Sequence, residues 1–169
     1  MALHSSGSGS FHLSYDGNHE TTIDKINRIS IPKRMRDGLG SSCVLYLNEL
    51  DVISIYSTQN WLSRIEGLTS LDRNSIAYGD LTRMISAMSF SDVPIDGGRV
   101  VIPDSLKKRA GIESNVIICG CFDRCEIWAP EAFEEYLRDI FGYKAEKRAT
   151  VKRIWDEVDA AVQKLKEAG

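Results

Sequence analysis

Two short stretches hold the residues whose types and spacing could do chemistry. In the first, Asp24-Lys25-Ile26-Asn27-Arg28, a carboxylate stands four positions before a guanidinium, with an ammonium and a carboxamide between them; Lys33 and Arg34 follow closely. In the second, Asp96-Gly97-Gly98-Arg99, the carboxylate and guanidinium return with one residue fewer. Cations gathered at a turn suit polyphosphate, because each one that meets a phosphate releases a condensed counterion. The forked donors of arginine also match the two acceptors on a guanine edge. Lys25, Asn27, Arg28, Lys33 and Arg34 are therefore candidate DNA contacts. Arg99, Lys107, Lys108 and Arg109 are their second-stretch equivalents. A purely structural reading stands beside this one: Asp24 would clamp its own turn by pairing with Arg28, Asp96 would hold the second turn, and the later cations would be solvated helix residues.

Other chemistry lacks parts. The sequence has no glycine-rich phosphate loop, no Gly-x-Ser-x-Gly elbow and no His–Glu metal motif. The acidic residues Glu131, Glu134, Glu135 and Asp139 have helical spacing and read as a solvated face, so no enzyme is expected. Cys119, Cys121 and Cys125 could begin a zinc site, but no histidine lies near them, since His4, His12 and His19 are all N-terminal. With Cys43 they read as small strand hydrophobes, and no metal or other cofactor is expected. Trp61, Trp128 and Phe133 follow core periodicity rather than that of base-stacking platforms. Net charge is −3, yet Thr21 to Gly40 holds five cations against two acids, so one face can attract phosphate on an acidic molecule. No run of 18 apolar residues exists, which gives no reason to expect a membrane partner. Met1 to Leu13 lacks the pattern of a secretory signal, and a reducing cytoplasm is the expected location. Ser6 to Ser10 reads as part of a flexible tail over 1–18.

The elements that position these residues come twice. Ile23 to Pro32 returns as Ile95 to Pro103, each followed by a cation-bearing stretch ending in glycine, an apolar run, an acidic turn and a second apolar run. Asp24 to Asp96 and Asp51 to Asp123 are both 72 positions apart, while Arg28 to Arg99 and Pro32 to Pro103 are 71, so the second copy lacks one residue inside its turn. Each copy reads as strand, turn, strand, short helix, hairpin and helix. The spacing predicts a first copy over 19–70, a connecting helix over 71–90, a second copy over 91–142 and a final helix over 143–169. One copy alone is too small to close a core, so the two are expected to interleave their strands about a pseudo-twofold axis. The final helix carries Val151, Ile154, Trp155, Val158, Val162 and Leu165 on one stripe, which could pack on the barrel or on a neighbouring subunit.

Asp24 to Pro32, its second copy at 96–103, and the closing Asp123-Arg124-Cys125-Glu126-Ile127-Trp128 resemble the MraZ family of transcription regulators, within the wider AbrB and SpoVT swapped-hairpin group. The resemblance runs from His19 to Tyr136. It implies a mainly β fold with peripheral helices: a double-split swapped-hairpin barrel whose two halves form a pseudo-dimer in one chain. It also implies a ring-shaped, octamer-like homo-oligomer, binding to G-rich direct repeats in promoter DNA upstream of the division and cell-wall gene cluster, mainly repressive action at the nucleoid, and no catalytic residue, cofactor or small-molecule substrate. Where the family has glycine before the arginine, this chain has Asn27, the residue next best suited to positive φ. A protein–protein module of the antitoxin type, or an oligomeric scaffold, is the alternative.

Overall fold

The computed structural model describes residues 2–3, 11–12, 15–142 and 144–168. It divides into two compact units, 1–130 and 131–169. The first holds ten strands among the described residues: β1 (Ala2–Leu3), β2 (Phe11–His12), β3 (Asn18–Thr22), β4 (Arg28–Ser30), β5 (Ser42–Leu47), β6 (Ile53–Tyr56), β7 (Ser89–Pro94), β8 (Arg99–Val101), β9 (Asn115–Gly120) and β10 (Cys125–Trp128). Its helices are α1 (Lys33–Arg36), α2 (Thr58–Ile65), α3 (Ile76–Met88) and α4 (Asp104–Arg109), with a 3₁₀ turn over Glu66–Ser70. Part of the expected tail, residues 4–10, lies outside the described residues; β1 pairs with β2, and Tyr15 is fully buried.

Six strands form one antiparallel sheet in the order β3-β9-β10-β6-β5-β7, and β4 pairs with β8 in a separate ribbon. The fold is mixed α+β. The expected barrel is not closed by hydrogen bonds: β3 and β7 are the two ends of the sheet, and the three-residue ribbon stands apart from it. The reason is local. The β-branched runs before Pro32 and Pro103 stop after three residues, because proline lacks the N–H that a longer ladder would need.

The register contains the repeat. In the centre of the sheet Ser54 lies opposite Glu126, its own counterpart 72 positions on. In the ribbon Ile29 lies opposite Val100, its counterpart 71 positions on. A pseudo-twofold axis therefore passes through both places. The outer strands are exchanged: β3 of the first copy pairs with β9 of the second, and β7 of the second with β5 of the first. The exchange is not quite symmetric. Between Cys43 and Leu45 the β5–β7 register shifts by one residue, and Asp92 in β7 takes φ 54°, the left-handed conformation of a bulge.

The strands alternate, and so two faces are buried differently. Ile29, Leu45, Ile53, Val100, Ile118 and Ile127 belong to one continuous core. On the opposite face of the sheet Val44, Tyr56 and Trp61 form a second cluster, with Tyr46 and Trp61 rings 5.1 Å apart. Trp61, Trp128 and Phe133 are all buried, as core periodicity requires. The connecting helix starts later than the apolar spacing indicates. Asp72 folds its own turn by accepting from Asn74 N–H at 3.0 Å, and the Ser75 hydroxyl then caps the helix by accepting from Tyr78 N–H at 3.1 Å.

Alternation also separates the cysteines. Cys119 shares a face with Glu126, whereas Cys125 points with Ile118 and Ile127 into the core. Burial pushes the Cys43 and Cys125 thiols up to about 12. In the native protein at pH 8 both should resist a thiolate-dependent probe, and a disulfide reagent should titrate no more than two of the four cysteines until denaturant is added; rapid reaction of three or four native thiols would refute the placement.

The second unit contains most of α5 (Pro130–Phe141) and α6 (Lys144–Ala168). No helix among the described residues is long and apolar enough to cross a membrane.

Candidate nucleic-acid interface

The first turn is built by one carboxylate. Asp24 N–H donates to Arg28 O at 2.9 Å and Asn27 N–H to Asp24 O at 3.0 Å, closing a three-residue loop with Asn27 at φ 61°. Asp24 Oδ1 accepts from the N–H groups of Ile26 and Arg28 at 3.0 and 2.9 Å, and Oδ2 accepts from Arg28 Nε at 2.7 Å. The Arg28 backbone and guanidinium, followed by the Ile26 N–H, hold the Asp24 carboxyl below the ordinary aspartate range. The same chemistry recurs at Asn48, whose Oδ1 accepts from Leu50 and Val52 while Asp51 takes φ 56°.

The second turn does without a side chain. Asp96 and Arg99 exchange both backbone hydrogen bonds, at 3.0 and 2.9 Å, around Gly97 and Gly98 at φ 54° and 77°. Positive φ at both central residues is what the tightest hairpin turn needs, and two glycines supply it without a steric penalty. The one-residue deletion thus changes the turn type while leaving the strand register intact.

The ribbon joins the two turns. Asn27 O accepts from Ile102 N–H at 2.8 Å, and its counterpart Gly98 O accepts from Ile31 N–H at 3.0 Å. Because Ile29 and Val100 point inward with no exposure, Arg28, Ser30, Arg99 and Val101 point outward. Arg28 and Arg99 are diagonal neighbours on that outer face, about 7–8 Å apart. Lys25 and Ile26 protrude at one end, with Ile26 62% exposed.

Asp24 and Arg28 do form a clamp, through Nε of the guanidinium, so the turn fixes an arginine whose side chain is still 40% exposed. Asn27 is tied across the repeat: its Nδ2 donates to Asp104 at 2.6 Å and its Oδ1 accepts from Lys107 Nζ at 3.0 Å. Arg34 is paired with Asp16 at 2.7 Å, through a carboxylate oxygen that is itself buried, while the arginine side chain is 63% exposed. Lys25, Lys33 and Arg99 are exposed. The partners Asp16 and Asp104 carry no periodic signal in the sequence. Arg36 is legible once the offset of 71 is applied, since it is the repeat mate of Lys107. As Lys107 reaches the first turn, Arg36 lies across the second, where a Cβ on Gly98 would collide with its guanidinium.

The carboxylate at 24 gives the turn a pH dependence. A depressed folded pKa contributes stability that is present above the unfolded value and is lost as pH falls through the folded one. Wild-type Tm should therefore fall more steeply than that of Asp24→Asn below about pH 4, measured by thermal scans from pH 6 to pH 3. Parallel curves would refute the assignment.

Residues 91–154 match the family model described as "MraZ protein, putative antitoxin-like". Over 120 residues the chain is 34% identical to the transcriptional regulator MraZ of Caldanaerobacter subterraneus subsp. tengcongensis, covering 71% of this chain and 84% of that protein. The chain belongs to the MraZ family. The transcriptional regulator MraZ of Thermoanaerobacter sp. is 33% identical over 120 residues, with the same coverage. That of Mycoplasma mobile is 30% identical over 145 residues, covering 84% of this chain and 94% of its own. The matched MraZ segment takes in the two-glycine turn and Arg99, while the three-residue turn that carries Arg28 lies in the first copy, before it.

Proposed function

We propose that this protein is a DNA-binding transcription regulator that inserts the β4–β8 ribbon into the major groove. The observation that carries the reading is the pair Arg28 and Arg99, held outward on one two-stranded ribbon about a pseudo-twofold axis. A major groove admits such a ribbon, and arginine is the side chain best matched to guanine. The carboxylate at 24 presets one of the two guanidinium groups, which lowers the entropy lost on contact. Lys25, Lys33 and Arg34 serve phosphates, Arg34 by leaving its pair with Asp16; Asn27 acts by bracing the turn.

From the family follow the finer parts of the proposal: repression of the division and cell-wall gene cluster, G-rich direct repeats as the operator, a ring-shaped homo-oligomer in the cytoplasm at the nucleoid, and a split swapped-hairpin barrel. The exchanged pairing of β3 with β9 and β7 with β5 supports that last point. Repeated ribbons around a ring would match repeated operator boxes. The antitoxin-like description of the family keeps a protein partner as the second reading.

The test is binding to duplex DNA from upstream of the protein's own gene, against random duplex, at two salt concentrations. Wild type should prefer the upstream duplex and weaken steeply with salt. Arg28→Ala should cost about 1–3 kcal/mol of affinity and relax the preference, and Arg99→Ala a similar or smaller amount. Absence of any salt-dependent preference in wild type would refute the reading.

A further inference from the structure

From α6 we infer an interface with a second copy of this chain, made by pairing two α6 helices antiparallel. Val151, Trp155, Val158, Val162 and Leu165 recur at alternating steps of four and three over about 21 Å of helix. Trp155 is 62% exposed and Leu165 75%. On the other faces Lys152 pairs with Asp156 and Arg153 with Glu157, each at 2.6 Å and largely exposed.

Two features choose the occupant. Val151, Trp155, Val158, Val162 and Leu165 repeat every 3.5 residues, the seam of a two-helix coil, with Ile154 and Ala161 flanking it on one side. Charge then sets direction. In a parallel pair the flanking positions bring Lys147 against Lys152 of the other copy, and no opposite charges meet. In an antiparallel pair Trp155 packs on Val158 of the other helix and Val151 on Val162, each contact made twice. Lys152 then lies beside Asp159 of the other helix, also twice, and Ile154 faces the small Ala161. One register makes all of these contacts, and in it Leu165 lies beyond the apolar pairs, beside Arg148 of the other helix. The contact is isologous and self-limiting, unlike the head-to-tail contact of a ring, so it links copies in pairs whether or not a ring forms.

Sedimentation equilibrium of the full chain tests it. Trp155→Glu should lower the weight-average mass at micromolar concentration about twofold while circular dichroism and Tm hold. Asp159→Lys should weaken pairing several-fold by setting lysine against lysine, and adding Lys152→Asp should restore it. An unchanged mass for Trp155→Glu overturns the inference; if Tm also falls, the stripe packs on its own chain. A mass lowered by Trp155→Glu, with no rescue by the charge exchange, overturns the antiparallel register. If the ring is absent, the wild type is a dimer, which leaves this inference standing.

Discussion

Glu126→Ala is expected to cost about 2–3 kcal/mol, lowering Tm by roughly 5–10 °C for a chain of this size. Glu126 is only 6% exposed, yet it lies at the pseudo-twofold centre of the sheet, opposite Ser54. Its Oε2 accepts from Trp128 Nε1 at 3.0 Å and its Oε1 from Arg124 Nε at 3.0 Å. Arg124 also pairs with Asp123 at 2.8 Å. Burial works against the charge on Arg124, but the carboxylates of Glu126 and Asp123 outweigh it and hold the guanidinium more firmly protonated. Alanine would leave the indole N–H buried without its carboxylate and deprive Arg124 of its better partner. Arg124 is 30% exposed, so water recovers part of the loss and the cost falls below that of breaking a fully buried pair. Glu126→Gln, which keeps an acceptor for Trp128, should cost about 1 kcal/mol. Chemical denaturation measures both, and a loss below about 0.5 kcal/mol for alanine would refute the network's importance.

Ile29→Ala should cost about 2–4 kcal/mol and Val100→Ala about 2–3. Both side chains have no exposure, and they face each other where the ribbon crosses the pseudo-axis. Because they share one packing site, the double variant should depart from the sum by at least about 0.5 kcal/mol, since the second truncation enlarges a cavity already opened by the first. Strict additivity would refute the direct packing. The same variants should weaken DNA binding without touching a cation, because Arg28 and Arg99 are aimed by the strand whose inner face these residues anchor.

Much of this could be read along the chain. The doubling, the missing residue in the second turn and the three-residue strands before Pro32 and Pro103 all follow from spacing and from proline's lack of a donor. The final helix over Lys144–Ala168 follows from its apolar period. Local hydrogen bonding accounts for the late start of the connecting helix, because Asp72 and Ser75 compete with the helix for backbone donors. Tyr15 could not be found this way: it is fully buried, but no periodic pattern surrounds it.

For the candidate interface, the sequence by itself determined residue types, their doubling and the turn chemistry, because Asp24, Asn27 and the two glycines act over four residues or fewer. Tertiary structure alone decided which face they share. Arg28 and Arg99 are 71 positions apart and become neighbours only when β4 pairs with β8. Asn27, a candidate reader by type, becomes a brace because Asp104 and Lys107 arrive from the other copy. Cys119 and Cys125 part to opposite faces through register, since one step along a strand reverses a side chain. Contacts between the copies depend on how two distant segments are paired, and that pairing is set by the shared core that neither copy can close alone.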